Sequence, residues 1–126
     1  MPSITVLNDV TDTQLAYLYR HAVCLVSPSL MEGFGLIALE ALALKCIPVV
    51  SDIPAFHEVC EDAALYFNPT SPKSLREKLE YVLVLDKKAK ERLQEKGQER
   101  LKQFSWRDMA NQTLEIYESC SSTRSE

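Results

Sequence analysis

The stretch that decides the fold of this chain is Pro28-Ser29-Leu30-Met31-Glu32-Gly33-Phe34-Gly35-Leu36-Ile37-Ala38-Leu39-Glu40. An apolar run at residues 23–26 precedes it, and its second half carries apolar residues at helical spacing. The pattern predicts a strand, a glycine-containing loop and a helix, which together form one unit of an α/β fold. Ligands of such folds bind at the carboxyl ends of the strands, so this loop is predicted to lie at the binding edge.

Strands and helices are predicted to alternate along the rest of the chain. Short apolar runs at residues 4–7, 47–51 and 64–67 have the length and composition of strands. Ser71 and Asp86 are in capping positions before two helices of the C-terminal third. We therefore expect an α/β fold: a partial Rossmann-like parallel sheet of three to four strands, with flanking helices and a helical C-terminal third.

The length and composition indicate one soluble domain. Of the 126 residues, 46% are apolar and 25% are charged, as in an ordinary globular chain. We assign residues 1–118 to this domain and expect the Ser-rich tail at residues 119–126 to be disordered. The four cysteines show no C-x-x-C pairing, and no apolar run approaches the length of a membrane span. A reduced, cytoplasmic protein is the expectation.

The charge pattern does not favour a nucleic-acid partner. The formal net charge is −4. The basic residues concentrate between Lys73 and Lys102, where they alternate with glutamates at helical spacing. This pattern is typical of a solvated helix face rather than of a phosphate-binding patch.

The loop between strand and helix has the composition of an anion-binding site. A helix N-terminus presents unpaired backbone N–H groups, and Gly33 and Gly35 remove side chains where the backbone must approach an anion. Such a loop suits a diphosphate. Glu40 leans back along the helix towards the hydroxyls of a ribose beside that diphosphate. Glu32 could accept hydroxyls of a second sugar on the other side, so the arrangement indicates a nucleotide-sugar.

Each of these residues also has an ordinary interpretation. Glu40 alone is typical of a solvated helix face, and Glu32 alone of a surface loop. Phe34 is more typical of a hydrophobic plug than of a stacking platform. The nucleotide-sugar interpretation therefore depends on the combination of residues and not on any one of them.

A dinucleotide-binding fingerprint overlaps the same stretch. Residues 33–38 match G-x-G-x-x-A, and Asp52 follows the next predicted strand. Two features count against this hypothesis. Several residues separate the strand from Gly33, whereas the fingerprint's first glycine follows its strand almost directly. Glu32 would also place a negative charge beside the pyrophosphate.

The central stretch resembles the E-x7-E signature of retaining glycosyltransferases of the family 4, or group 1, type: Pro28-Ser29-Leu30-x-Glu32-Gly33-Phe34-Gly35-Leu36-x3-Glu40-Ala41. The flanks are similar to the family as well, in the segments Asp12-x2-Leu15-x3-Tyr19-x2-Ala22, Pro48-Val49-Val50-Ser51-Asp52, Glu58-Val59, Asp62-Ala63-Ala64-Leu65-Tyr66-Phe67-x-Pro69 and Phe104-Ser105-Trp106. The resemblance covers nearly the whole chain except its tail. It implies the GT-B fold and, within it, the later part of the C-terminal donor-binding domain.

The resemblance also implies a role for each residue of the signature. Glu32 is the implied catalytic residue and engages the donor sugar. The implied donor-binding residues are Gly33, Phe34, Gly35, Leu36 and Glu40, of which the last holds the ribose. The implied reaction transfers a sugar with retention at the anomeric carbon, assisted by the leaving diphosphate, without a metal or a cofactor. UDP-, ADP- and GDP-sugars all remain open as the donor.

The match covers only part of such an enzyme. Whole members have two Rossmann-like domains with the active site between them. The N-terminal acceptor domain has no counterpart here, and neither do the units that supply Arg and Lys to the diphosphate. We expect the isolated chain to be inactive and to need that domain or a partner chain. The alternative hypothesis is a non-catalytic α/β module that keeps the fold for binding or assembly.

The resemblance to this family also predicts an exposed sheet edge. The strand at residues 23–26 would lie at this edge, and an exposed edge must be paired or covered. Either residues 4–7 pair with it or a second copy of the chain does. We therefore expect self-association or marginal stability.

Overall fold

The computed structural model describes residues 3–122 and shows an α/β fold. A short 3₁₀ turn, Glu61–Ala63, lies between the third helix and the third strand. The elements in chain order are α1 (Asp12–His21), β1 (Leu25–Ser27), α2 (Leu36–Ala43), β2 (Pro48–Ser51), α3 (Pro54–Cys60), β3 (Leu65–Phe67), α4 (Pro72–Val84), α5 (Lys87–Leu101) and α6 (Trp106–Ser122). The predicted fold class is confirmed, with three strands in the part of the chain that the structure describes.

The three strands form a parallel sheet in the order β1-β2-β3. Val26 pairs with Val49 in the first ladder, and Val50 pairs with Tyr66 in the second. All four residues of β2 are buried because this strand is paired on both sides and covered on both faces. The carboxyl ends of the strands meet at one edge of the sheet, and the loop at residues 28–35 leaves β1 at this edge.

The helix starts agree with the capping residues in the sequence. The side chains of Thr11, Ser71 and Asp86 accept backbone N–H groups at the first turns of α1, α4 and α5. Thr11 forms a complete capping box with Gln14. These caps are local features, so they follow from sequence spacing alone.

The N-terminal strand prediction is wrong. Residues 4–7 form no strand, and Ile4 and Val6 are 92% and 77% exposed. Their β-branched composition favours extended backbone, but a strand also needs a ladder partner, and these residues pair with no strand among those described. The sequence therefore predicted a local conformation without the pairing that would make it a strand.

The apolar run at residues 23–26 is less covered than its composition indicates. Strand β1 begins only at Leu25, and Val23 and Val26 are exposed. The reason is that β1 lies at the edge of the described sheet, as predicted, and pairs only with β2. Cys24 is half-buried, and its thiol is free.

The C-terminal helix extends further than the sequence indicated. Helix α6 continues to Ser122, whereas a disordered tail was expected from Ser119. Residues 123–126 of that tail lie outside the described residues. Trp106, Ile116 and Tyr117 of α6 are largely exposed.

The packing of α2 positions the loop that precedes it. Ala38 and Leu42 of α2 join Val50 of β2 and Phe56 of α3 in the main buried cluster. Full burial of a large apolar side chain contributes about 1.5–3 kcal/mol. The start of α2 is therefore fixed against both the sheet and α3.

Helix α5 packs on the C-terminal end of α2. Gly97 allows this approach, because a Cβ there would lie 2.8 Å from Leu42 Cδ2. The side-chain amides of Gln94 and Gln98 donate to the carbonyl oxygens of Lys45 and Leu42 at 2.8 and 2.7 Å. These bonds join α5 to the carbonyl groups at the C-terminal end of α2.

Helix α2 ends in a Schellman motif with a lysine where glycine is usual. The N–H of Lys45 donates to Leu42 O at 3.2 Å, and the N–H of Cys46 donates to Ala41 O at 2.9 Å. The motif holds Lys45 at φ 59°. This left-handed conformation costs a residue with a Cβ about 1–2 kcal/mol.

We predict that Lys45→Gly stabilises the protein. Glycine removes the left-handed penalty but loses more backbone entropy on folding, which leaves a gain of about 0.5–1 kcal/mol. Urea denaturation measures this gain. Lys45→Ala is the matched control, because it removes the charge and keeps the Cβ. Equal stability of the glycine and alanine variants would show that the backbone at Lys45 carries no strain.

Candidate functional site

The predicted site residues all lie on the loop and helix that follow β1. Glu32, Gly33 and Phe34 are in the loop, and Gly35 is the N-cap of α2. Glu40 is the fifth residue of the helix. Gly33 and Phe34 are exposed, and so is Leu36 at the start of the helix. The loop is therefore open to a ligand at the carboxyl edge of the sheet.

The two glycines of the loop have different structural roles. Gly35 has φ 93°, and a Cβ there would lie 3.0 Å from Phe56 Cε1. The fold thus requires glycine at this position. A Cβ on Gly33 would meet nothing within 4 Å, and the backbone of Gly33 is not left-handed. The fold itself therefore does not require glycine at position 33.

The N-terminus of α2 has no side-chain cap, because its N-cap residue is Gly35. Each α-helix leaves its first backbone N–H groups without intrahelical partners. These groups and the positive end of the helix dipole attract an anion. The helix start is thus an electropositive feature beside the open backbone of Gly33.

Phe34 connects the loop to the junction of α5 and α6. Its ring meets Phe104 edge to face, with centroids 5.9 Å apart and planes at 78°. The Phe104 ring also contacts Arg100, whose guanidinium carbon lies 4.8 Å from the ring centroid. Phe34 remains 43% exposed, so part of the ring faces solvent.

Glu32 is held by a hydroxyl from its own loop. The carboxylate is half-buried, and Ser29 Oγ donates to its Oε1 atom at 2.7 Å. A hydroxyl bond to a charged acceptor is stronger than a bond between neutral groups. The other oxygen, Oε2, is available to a ligand hydroxyl.

Glu40 is held by a hydroxyl from α1. Tyr19 donates its phenol O–H to Glu40 Oε2 at 3.0 Å, and the Tyr19 side chain is only 7% exposed. Burial raises the pKa of Tyr19, and the hydrogen bond to Glu40 raises it further. The phenol therefore stays protonated at neutral pH and remains a donor to Glu40.

Sequence reasoning missed both of these hydroxyls. By its spacing to Leu15, Leu18 and Ala22, Tyr19 belongs to an apolar stripe of a helix, and Ser29 lies in a loop. A tyrosine on an apolar stripe does carry a signal, because a buried phenol O–H needs a partner. The identity of the partner depends on how α1 packs on α2, which sequence spacing does not reveal.

Asp52 does not lie free at the end of β2. His57 Nε2 is 2.6 Å from Asp52 Oδ1, and the His57 ring stacks on Tyr66 with centroids 4.0 Å apart. The dinucleotide fingerprint needs an acidic group at this place to accept ribose hydroxyls. His57 engages one oxygen of this carboxylate and leaves the other open.

Neither a metal-binding cluster nor a membrane-spanning helix occurs among residues 3–122. No three His, Cys, Asp or Glu side chains in this range converge in a way that could hold a metal ion. No helix in this range has both the length and the apolar composition needed to cross a membrane.

The family model of the group 1 glycosyl transferases matches residues 2–100, which is most of the chain. The chain belongs to this glycosyltransferase family. The structure of sucrose-phosphate synthase from Thermosynechococcus elongatus superposes on this group 1 domain with a TM-score of 0.75 and 27% identity, covering 85% of the chain. The chain covers 28% of that structure. The GT-B-like fold and the family implied by the signature are therefore confirmed.

Two of the curated relatives that the chain is similar to are mannosyltransferases. The O-antigen chain mannosyltransferase RfbU of Salmonella typhimurium is 48% identical over 71 residues, which is 56% of this chain. O-antigen chain mannosyltransferase B of Escherichia coli is 35% identical over 114 residues, which is 90% of this chain. The chain spans 20% and 30% of the length of these two relatives.

We predict that alanine destabilises the protein at Gly35 but not at Gly33. Gly35→Ala costs about 1–3 kcal/mol, because the new Cβ meets Phe56 and the backbone is left-handed. Gly33→Ala changes stability by less than about 0.5 kcal/mol, because its Cβ meets open space. Thermal melts monitored by circular dichroism measure both. A Gly33→Ala variant that melts as early as Gly35→Ala would contradict this assignment.

Proposed function

We propose that the loop and N-terminal half of α2 bind the nucleotide-diphosphate sugar of a retaining glycosyl transfer. The observation that supports this most strongly is the pair of glutamates around an uncapped helix start, each held by a protein hydroxyl. Fixed carboxylates suit the recognition of sugar hydroxyls, which donate hydrogen bonds. The names of the mannosyltransferase relatives support mannose as the transferred sugar.

The diphosphate is proposed to lie at the start of α2. The first N–H groups of α2 lack a side-chain cap, and Gly33 leaves open space beside the backbone. An anion there gains hydrogen bonds from backbone groups and the favourable end of the helix dipole. Leu36 and Phe34 are exposed next to this position and would contact the ligand.

Each of the two glutamates is proposed to bind one sugar, either the ribose or the donor sugar. Glu40 is proposed to hold the ribose, since it lies about one and a half turns into α2 and leans back towards its start. Tyr19 occupies its Oε2 atom, which leaves Oε1 for the ribose hydroxyls. Glu32 is proposed to face the donor sugar on the other side of the diphosphate, and it is the proposed catalytic residue.

Transfer requires groups beyond those of this loop. Departure of the diphosphate is helped by cations that stabilise its charge. We propose that these cations and the acceptor site come from an acceptor domain or a partner chain. On this proposal the chain alone binds the donor and does not transfer sugar.

Isothermal titration tests the proposed function. The probes are GDP-mannose, UDP-glucose, ADP-glucose, their sugar-free nucleoside diphosphates, and NAD. We expect the wild type to bind a nucleotide-sugar, and Glu40→Gln to weaken both the nucleotide-sugar and its nucleoside diphosphate about tenfold. Gly33→Ala is expected to weaken both while it melts like the wild type. Glu115→Gln, on the exposed surface of α6, is the matched control and should bind normally.

Two results would contradict the proposal. If the folded wild type binds none of the nucleotides, the non-catalytic binding or assembly module becomes the better hypothesis. If it prefers NAD to every nucleotide-sugar, the loop is a dinucleotide site.

We also propose that a second copy of the chain pairs at the edge of β1. Val26 is exposed there, and β1 has a ladder partner on one side only among the described strands. Sedimentation velocity across a range of concentrations is expected to show a dimer of the wild type, and Val26→Lys should shift it towards monomer. A wild type that stays monomeric at every concentration would exclude this pairing.

A further inference from the structure

We propose that Ser29 is a positioning residue that aims the Glu32 carboxylate at the donor sugar and is itself fixed by the buried ends of β1 and β2. The inference rests on the function proposed above. It adds a network of three serine residues that connects the binding loop to the core of the sheet.

The network begins inside the sheet and ends at the glutamate. Ser51, the last residue of β2, is completely buried and donates its hydroxyl to the carbonyl oxygen of Ser27 at 3.2 Å. Ser27 is the last residue of β1, and its side-chain oxygen lies 3.4 Å from Ser29 Oγ. Ser29 Oγ is 2.7 Å from Glu32 Oε1. The network thus runs from the buried end of β2 to the loop at the carboxyl edge of the sheet.

The number of protons determines the direction of each bond. A serine hydroxyl has one proton to donate, and an ionised carboxylate only accepts. Ser29 therefore donates its proton to Glu32 and can only accept from Ser27. Ser27 must then be the donor in their contact. Both side-chain hydroxyls are thus oriented towards the glutamate, so the carboxylate is held at a defined place.

The burial of the two strand residues gives the network its rigidity. Ser27 is 5% exposed and Ser51 is 0% exposed, so neither hydroxyl can exchange its partner for bulk water without cost. The Ser51 bond also joins the ends of β1 and β2. A loop residue tied to this point varies less in position than one held only by its neighbours along the chain. Glu32 therefore keeps one orientation before the ligand arrives, which lowers the cost of binding.

A simpler role for Ser29 is to shape the loop, since its bond to Glu32 spans only three residues. The two roles differ in what the loss of the hydroxyl affects. A loop-shaping serine would influence every part of the bound ligand, including the diphosphate. A serine that positions Glu32 would influence only the donor sugar, because Glu40 holds the ribose independently.

Binding measurements on a set of variants test this difference, with GDP-mannose as the probe and GDP as its sugar-free counterpart. Ser29→Ala is expected to weaken GDP-mannose about fivefold and to leave GDP unchanged. Ser29→Thr keeps the hydroxyl and should restore wild-type affinity. In a double-mutant cycle, Ser29→Ala should cause no further loss once Glu32→Ala is present.

The orientation of Glu32 is measured separately, without a ligand. Three-bond NMR couplings across Cα–Cβ of Glu32 are expected to show a single rotamer in the wild type and averaging in Ser29→Ala. This result does not depend on the identity of the ligand. Ser29→Ala must first melt like the wild type.

Each result decides between the two proposals. If the wild type binds GDP-mannose, and Ser29→Ala prefers GDP-mannose over GDP as strongly as the wild type does, the positioning role is overturned and the proposed function stands. A single Glu32 rotamer in Ser29→Ala overturns it as well. If the wild type binds neither a nucleotide-sugar nor a nucleoside diphosphate, the proposed function fails, and this inference fails with it.

Discussion

The contact between Gly35 and the ring of Phe56 determines where α2 begins, and the candidate site depends on that point. The left-handed backbone of Gly35 turns the chain from the loop into the helix, and the aromatic ring leaves no room for a side chain. The buried face of α2 then fixes the helix against β2 and α3. Every group proposed to contact the donor lies within a few residues of this turn or points back towards it. The packing of the core therefore sets the geometry of the site.

Both acids of the signature are oriented by hydroxyl groups that come from different parts of the fold. Tyr19 approaches Glu40 from α1, whereas Ser29 lies in the same loop as Glu32. Each bond satisfies one carboxylate oxygen and leaves the other for a ligand. This arrangement explains how exposed or half-buried carboxylates can keep a defined orientation in a loop that is open to solvent.

Local features of the structure could be predicted from the sequence, and features that depend on distant partners could not. The strand, glycine loop and helix of residues 25–43 and the caps at Ser71 and Asp86 follow from spacing over a few residues. Residues 4–7 have strand composition but lack a partner strand, so their prediction failed. The bonds of Tyr19 to Glu40 and of Ser51 to Ser27 were missed because they join elements whose packing is a tertiary property. The bond of Ser29 to Glu32 is local, but it depends on the conformation of the loop. The signature indicated which acids matter, and the structure shows what holds them.

The central claim is the order of ribose, diphosphate and donor sugar along this loop. A crystal structure of the chain with GDP-mannose bound tests it most directly. The account predicts ribose hydroxyls within hydrogen-bond distance of Glu40, the diphosphate at the first N–H groups of α2, and the mannose beside Glu32. A ligand bound in the opposite direction, or bound away from residues 28–40, would contradict it.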